Sequence, residues 1–163
     1  DHKPSLSPDG TKILFASNRD RNFDIYTINA DGTNQTRLTT HVNPDNYPTW
    51  SHDGTKIAFT SWRDGNPQVY TMDADGTNQT NITNTPSYDM EPSWSPDGTK
   101  IAFSSDRDYN GEIYIMDIDG SNQKNITNTT NFDESDPSWS PDGTKIAITS
   151  IGEEMKIQII ELK

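Results

Sequence analysis

Cysteine is absent from the 163 residues, so neither a disulfide framework nor thiolate chemistry is available. That absence fits reducing and oxidising compartments alike. Large apolar residues are scarce. Leu, Ile, Val and Phe together number 27, which beside a net charge of −12 has the composition of a disordered chain. Positive charge is short as well, with 13 Lys and Arg against 25 Asp and Glu. Phosphate binding needs clustered basic side chains, so the composition argues against a nucleic-acid partner and against an anionic membrane surface. No apolar run approaches the length of a membrane span, and no stretch reads as a signal peptide. Helical periodicity is missing too: no segment repeats its apolar residues every 3.6 positions, and Gly, Pro, Asn, Asp and Thr interrupt the chain every few residues.

What the sequence does have is repetition. The stretch PSWSPDGTKIAFSS beginning at Pro92 recurs as PSLSPDGTKILFAS from Pro4, PTWSHDGTKIAFTS from Pro48 and PSWSPDGTKIAITS from Pro137. Leu6, Trp50, Trp94 and Trp139 hold the same place in each copy, 44, 44 and 45 residues apart. Such a period marks a repeat architecture, in which stacked units bury a thin continuous core that one unit could not. This overrides the disordered reading of the composition.

Each unit holds four segments with strand character. The first is Pro-x-Trp-Ser, followed by a Pro-Asp-Gly-Thr turn in which His52 replaces proline once. The second runs over Lys12–Ser17, Lys56–Ser61, Lys100–Ser105 and Lys145–Ser150. It is apolar on both faces and so must be covered on both. The third, such as Ile113-Tyr114-Ile115-Met116, behaves similarly. Asp31-Gly32, Asp75-Gly76 and Asp119-Gly120 then give hairpin turns. The fourth segment spans Asn34–Thr39, Asn78–Thr83 and Asn122–Thr127, polar except for Leu38, Ile82 and Ile126, as suits a sheet edge. A gradient from small and aromatic through buried to wet is that of a propeller blade from axis to rim. The predicted fold is therefore all-β: one propeller domain over 1–163 of four-stranded antiparallel blades, with repeats at about 4–47, 48–91, 92–136 and 137–163. The fourth repeat lacks its outer strand. Two arrangements would cover the end blades, with apolar residues such as Ile146, Ile148, Ile157 and Ile159: four blades closing on themselves, which is the expectation, or two chains forming one eight-bladed ring.

The combination P-x-W-S-P-D-G-T-K-I-A-F-x-S-x-R-D, then I-Y-x-M-D-x-D-G, then N-Q-x-x-I-T-N, resembles the repeat of the TolB-type β-propellers, a WD-like family. The resemblance covers essentially the whole chain. It implies propeller blades, a periplasmic or extracellular location and a protein-binding role. Similar blades also accompany serine peptidases and sugar-active or secreted cell-surface proteins, so a propeller segment of a larger enzyme is an alternative reading. No functional residue of the family maps onto a position of this sequence.

Catalysis finds no inventory. There is no Gly-x-Ser-x-Gly elbow, and His2, His41 and His52 lie at a terminus, in a connector and in a turn. The expectation is a non-enzyme without cofactor. Asp73-Ala74-Asp75-Gly76 and Asp117-Ile118-Asp119-Gly120 resemble the start of a calcium loop but lack the glycine and glutamate that complete an EF-hand, so they are read as hairpin turns and no metal is assigned. Arg19-Asp20, Arg63-Asp64 and Arg107-Asp108 recur in every unit but the last and read as architecture. The candidate partner-binding residues are the acidic connectors, which should ring the channel mouth: Asp45, then Asp89 and Glu91, then Asp133, Glu134 and Asp136. Trp62, an aromatic in a loop where the sister units have Asn18 and Asp106, joins them. A protein or peptide partner, cationic in character, or a second copy completing the ring, is what this acidic rim would attract.

Overall fold

The computed structural model of the chain describes residues 1–162. Fifteen strands form four antiparallel sheets in chain order. The first blade is β1 (His2–Leu6), β2 (Lys12–Ser17), β3 (Asp24–Asn29) and β4 (Thr36–Arg37). The second is β5 (Asp45–Trp50), β6 (Lys56–Ser61), β7 (Gln68–Asp73) and β8 (Thr80–Asn81). The third is β9 (Asp89–Trp94), β10 (Lys100–Ser105), β11 (Glu112–Asp117) and β12 (Lys124–Asn125). The fourth has three strands, β13 (Asp133–Trp139), β14 (Lys145–Ile151) and β15 (Met155–Glu161).

The turns are built by aspartate. In the Pro-Asp-Gly turn, Asp9 Oδ1 accepts from Ser7 Oγ at 2.7 Å and from the Thr11 amide at 3.0 Å, and Ser7 Oγ accepts from the Lys12 amide at 2.9 Å. Asp53, Asp97 and Asp142 repeat this geometry. The Asp-Gly turns use Asp31, Asp75 and Asp119 in the same way, each accepting from the amide two residues on at 2.9 Å. Gly76, at φ +88, brings this turn against the preceding blade, where a Cβ would lie 2.9 Å from the Leu38 carbonyl oxygen. Outer strands are shorter than their sequence suggests. Only two residues pair in each: Asn34, Asn78 and Asn122 take positive φ, and beyond the pair the Ile25, Val69 and Ile113 carbonyls still accept from the Leu38, Ile82 and Ile126 amides while their own amides donate to the hydroxyls of Thr39, Thr83 and Thr127.

Blades stack large face on small face. Trp50, Ile57, Phe59, Tyr70 and Met72 of the second blade pack on Leu14, Ala16 and Ile25 of the first. Trp94, Ile101, Phe103, Tyr114 and Met116 of the third pack on Ala58, Val69 and Ile82 of the second. Ile146 and Ile148, with Trp139, Ile160 and Leu162, pack on Ala102 and Ile113 of the third. Strand alternation produces this directly, since neighbours along β6 or β10 point to opposite blades. The stack does not close. Among the described residues the fourth sheet does not pack on the first. Leu6, at the place of the tryptophans, is 60% exposed on the first blade, and Ile157 and Ile159 are 70% and 56% exposed on the fourth. The closed four-bladed ring expected from sequence is therefore replaced by an open arc. Ile146 and Ile148 are buried against the third blade, and on the next strand Ile160 packs with them while Ile157 and Ile159 remain wet.

Candidate binding surface at the propeller axis

Each innermost strand is interrupted by a bulge. The register shifts between His2 and Ser5, Asn46 and Thr49, and Ser135 and Ser138, with the matching irregularity in β9. The bulged residue is Lys3, Tyr47, Glu91 or Asp136, each at φ between 49° and 58° and each followed by a proline. A bulge re-aims a side chain, and these four converge. With Pro4, Pro48, Pro92 and Pro137 they line an axial funnel of about 350 Å³.

The funnel is held by contacts between blades. Glu91 Oε2 accepts from the Asp136 amide at 2.9 Å and from Ser104 Oγ at 3.1 Å, while the Glu91 amide donates to Thr60 Oγ1 at 3.1 Å. Lys3 Nζ lies 3.2 Å from Asp136 Oδ1 and 5.0 Å from the Tyr47 ring centroid. This ion pair links the first and fourth blades across the axis. Burial pushes the Tyr47 hydroxyl above its ordinary pKa, and the Glu91 carboxylate adds to that. Two carboxylates against one ammonium leave the funnel net negative.

The acidic connectors divide on inspection. Glu91 and Asp136 reach the funnel; Asp133 is exposed but does not line it, its carboxylate accepting from the Gly111 amide at 2.8 Å. Asp45, Asp89 and Glu134 are buried and present no charge to solvent. Asp45 and Asp89 instead bind the arginines of their own blades: Arg63 Nη2 at 3.1 Å and Arg107 Nη2 at 2.9 Å. Each guanidinium also donates through Nε to Ser61 or Ser105 and lies over Tyr70 or Tyr114, 4.6 and 4.3 Å from the centroid. The repeated Arg-Asp pairs are architectural, as expected. Asp20, Asp64 and Asp108 accept from the hydroxyls of Tyr26, Tyr70 and Tyr114. Burial raises these phenols, Tyr26 and Tyr114 to about 12. Trp62 is half-buried, its backbone carbonyl accepts from Asn43 Nδ2 at 3.2 Å, and it does not line the funnel.

Sequence reasoning missed Lys3 and Tyr47. A partial signal was available: the residue before the invariant leading proline reads Lys, Tyr, Glu, Asp, although the residue before that, His2, Asn46, Met90 or Ser135, varies as much. Variation at a fixed place within repeated architecture marks a position free to serve function. A larger cavity of about 580 Å³ lies between the third and fourth blades on the Pro-Asp-Gly side, lined by Ile126, Trp139, Ile160 and Leu162.

The model of the TolB beta propeller domain matches residues 1–85 and 69–163. The chain belongs to the TolB β-propeller family. Among solved structures, a putative TolB from Agrobacterium tumefaciens superposes with a TM-score of 0.92 at 25% identity, covering 99% of this chain and 61% of that one. TolB from Acinetobacter baumannii superposes with a TM-score of 0.86 at 27% identity, covering 98% of this chain and 40% of that one. The chain thus spans less than two thirds of these TolB relatives. A puromycin hydrolase, 15% identical with a TM-score of 0.75, shares the fold over 98% of this chain and 26% of its own. No match is found among curated protein sequences.

Proposed function

We propose that this TolB-like propeller segment is a non-catalytic binding module that takes a protein or peptide at its axial funnel, in the periplasm or outside the cell. The observation that carries this reading is the Lys3–Asp136 pair. It is a half-exposed ion pair, 46% and 51% accessible, and such pairs contribute only ~0–1 kcal/mol. An incoming basic side chain can displace Lys3, pair with Asp136 and Glu91, and stack on Tyr47 as Lys3 does now. The proline-lined wall supplies rigid apolar contact. Localisation rests on the likeness to TolB alone.

Selection of a displayed random-peptide library tests this. Wild-type protein should enrich Lys- or Arg-bearing peptides, and a Glu91→Gln/Asp136→Asn variant of unchanged melting temperature should not retain them. Equal retention by both proteins would rule the funnel out.

The uncovered end faces favour a second reading. Ile157 and Ile159 on the fourth blade and Leu6 on the first are the two halves of the seam that the chain forms three times internally. We propose that further blades cover them, from a second copy or from the rest of a larger protein. A peptidase or carbohydrate-active parent is one such case, supported only by shared fold.

A further inference from the structure

The three seams between blades carry the same buried polar site, and its charge can be followed from one to the next. In the first seam Asp24 and Asp45 are both buried, and each has an arginine: Arg37 at 2.6 Å and Arg63 at 3.1 Å. In the second, Gln68 takes the place of Asp24, leaving Asp89 with Arg107 at 2.9 Å. Gln68 accepts from Thr83 Oγ1 and the Thr85 amide, and donates to the Ser87 carbonyl. Both seams are neutral.

The third seam is not. Glu112 stands where Gln68 does, and Glu134 where Asp89 does; each is 1% exposed. Asn125 occupies the place of Arg37, and Gly152 that of Arg63 and Arg107. An arginine could not return easily, since a Cβ on Gly152 would lie 2.5 Å from the Phe132 ring. Glu112 accepts from the Thr127 hydroxyl, from the Thr129 amide at 2.6 Å and from Asn110 Nδ2 at 3.0 Å. For Glu134 the donor is the Thr129 hydroxyl, at 3.0 and 3.1 Å from its two oxygens and 3.4 Å from Glu112. One hydroxyl proton cannot serve both carboxylates at once.

The surrounding charges do not help. Asp133, next along β13, adds a further carboxylate. On the elements packed around the pair, Arg107 is held by Asp89, Lys100 by Asp117 and Lys145 by Glu161, and Lys156 sits over the Phe132 ring at 5.0 Å. Asp108 accepts from Tyr114, and Asp106 from the Tyr88 amide. Among the described residues neither glutamate has a cationic partner. Two facing buried carboxylates cannot both ionise cheaply. Burial pushes the Glu134 carboxyl up, and the charges of Glu112 and Asp133 push it further, against the lowering effect of the Thr129 hydroxyl.

We propose that the seam between the third and fourth blades is a proton-dependent joint, in which Glu112 and Glu134 share one proton that holds β11 to β13. Loss of that proton sets two charges against each other across the seam and loosens the fourth blade. The same strand carries Asp136 into the funnel, so the joint controls one wall of it. The joint does not depend on what the funnel binds.

The sign follows from linkage. A carboxyl raised on folding binds more protons in the folded than in the unfolded state, so stability falls as pH rises above the ordinary glutamate range, about 4.3, and levels off above the folded value. Thermal unfolding of the full chain across this range should show the melting temperature dropping by several degrees. Glu112→Gln, which installs the amide that the second seam already uses, should flatten that decline and leave the protein more stable than wild type at alkaline pH. Carbon-13 NMR of labelled glutamates should show one carboxyl titrating well above the others in wild type, and that titration moved to lower pH in Glu112→Gln. Parallel pH profiles for the two proteins would overturn the joint. So would wild-type spectra in which every glutamate titrates in the ordinary range. If millimolar calcium raises the melting temperature of wild type but not of Glu112→Gln, with no high-titrating glutamate, the pair holds a cation and the proton joint is wrong.

Discussion

At the scale of single residues, the buried arginine–carboxylate clamps dominate. Asp45 is fully buried, and Arg63 supplies its neutralising charge. Removing the cation alone strands a buried anion, at a cost of about 3–5 kcal/mol, whereas removing both charges together costs far less. Arg63→Met should therefore lower the urea midpoint sharply, and Asp45→Asn/Arg63→Met should recover most of the loss. Backbone conformation matters as much at one turn. Gly76→Ala places a Cβ 2.9 Å from the Leu38 carbonyl at φ +88 and should cost about 1–3 kcal/mol. Gly10→Ala, at φ +71 but with open space around it, should cost less. Denaturant titration of the pair separates steric clash from conformational strain.

At the scale of the element, the fourth blade is the informative one. β14 has one face on the third blade and one face open. Ile146 is fully buried, so Ile146→Ala should destabilise by about 2–5 kcal/mol. Ile157, one strand further out and 70% exposed, should tolerate Ile157→Thr with a change near zero in the isolated chain. If a second copy covers that face, Ile157→Thr should instead weaken association. The contrast between two isoleucines of one sheet, read by chemical denaturation, tests the open arc. β15 is also a sheet edge, since the outer strand that pairs with β3, β7 and β11 has no counterpart among the described residues. Its alternating exposed isoleucines fit an edge meant to be covered.

For the whole molecule, an excess of 12 negative charges and the aspartate turns set the acid limit. Asp9, Asp53 and Asp142 are held down to about 2 by hydrogen bonds, led by the Thr11 amide for Asp9 and by Ser51 and Ser140 for the other two. A carboxyl lowered on folding stabilises above its unfolded value, near 3.9, and that contribution is lost as pH falls through the folded value. The turns should hold until the pH drops below about 4 and then fail together towards 2, as followed by circular dichroism. This acid limb is distinct from the decline at higher pH expected from Glu112 and Glu134. Light scattering after size exclusion reads the assembly. A mass of 18.3 kDa means an isolated arc with its end faces wet, and twice that means a second copy covers them.

The sequence by itself determined the blades, because a blade is a local object. Period-2 apolar runs, Asp-Gly turns and a 44-residue repeat specify strands that pair with their neighbours in the chain, and short-range pairing needs no distant partner. Even the arginine loops and hairpin turns were legible as architecture from their recurrence. Tertiary structure alone decided which carboxylates face water. Asp45, Glu91 and Glu134 look alike in the sequence as acidic connector residues, yet a bulge aims Glu91 at the axis while Asp45 and Glu134 point into seams between blades. Ring closure was equally out of reach. It depends on the angle between stacked sheets summed over the whole arc, and no local pattern of residues encodes that sum.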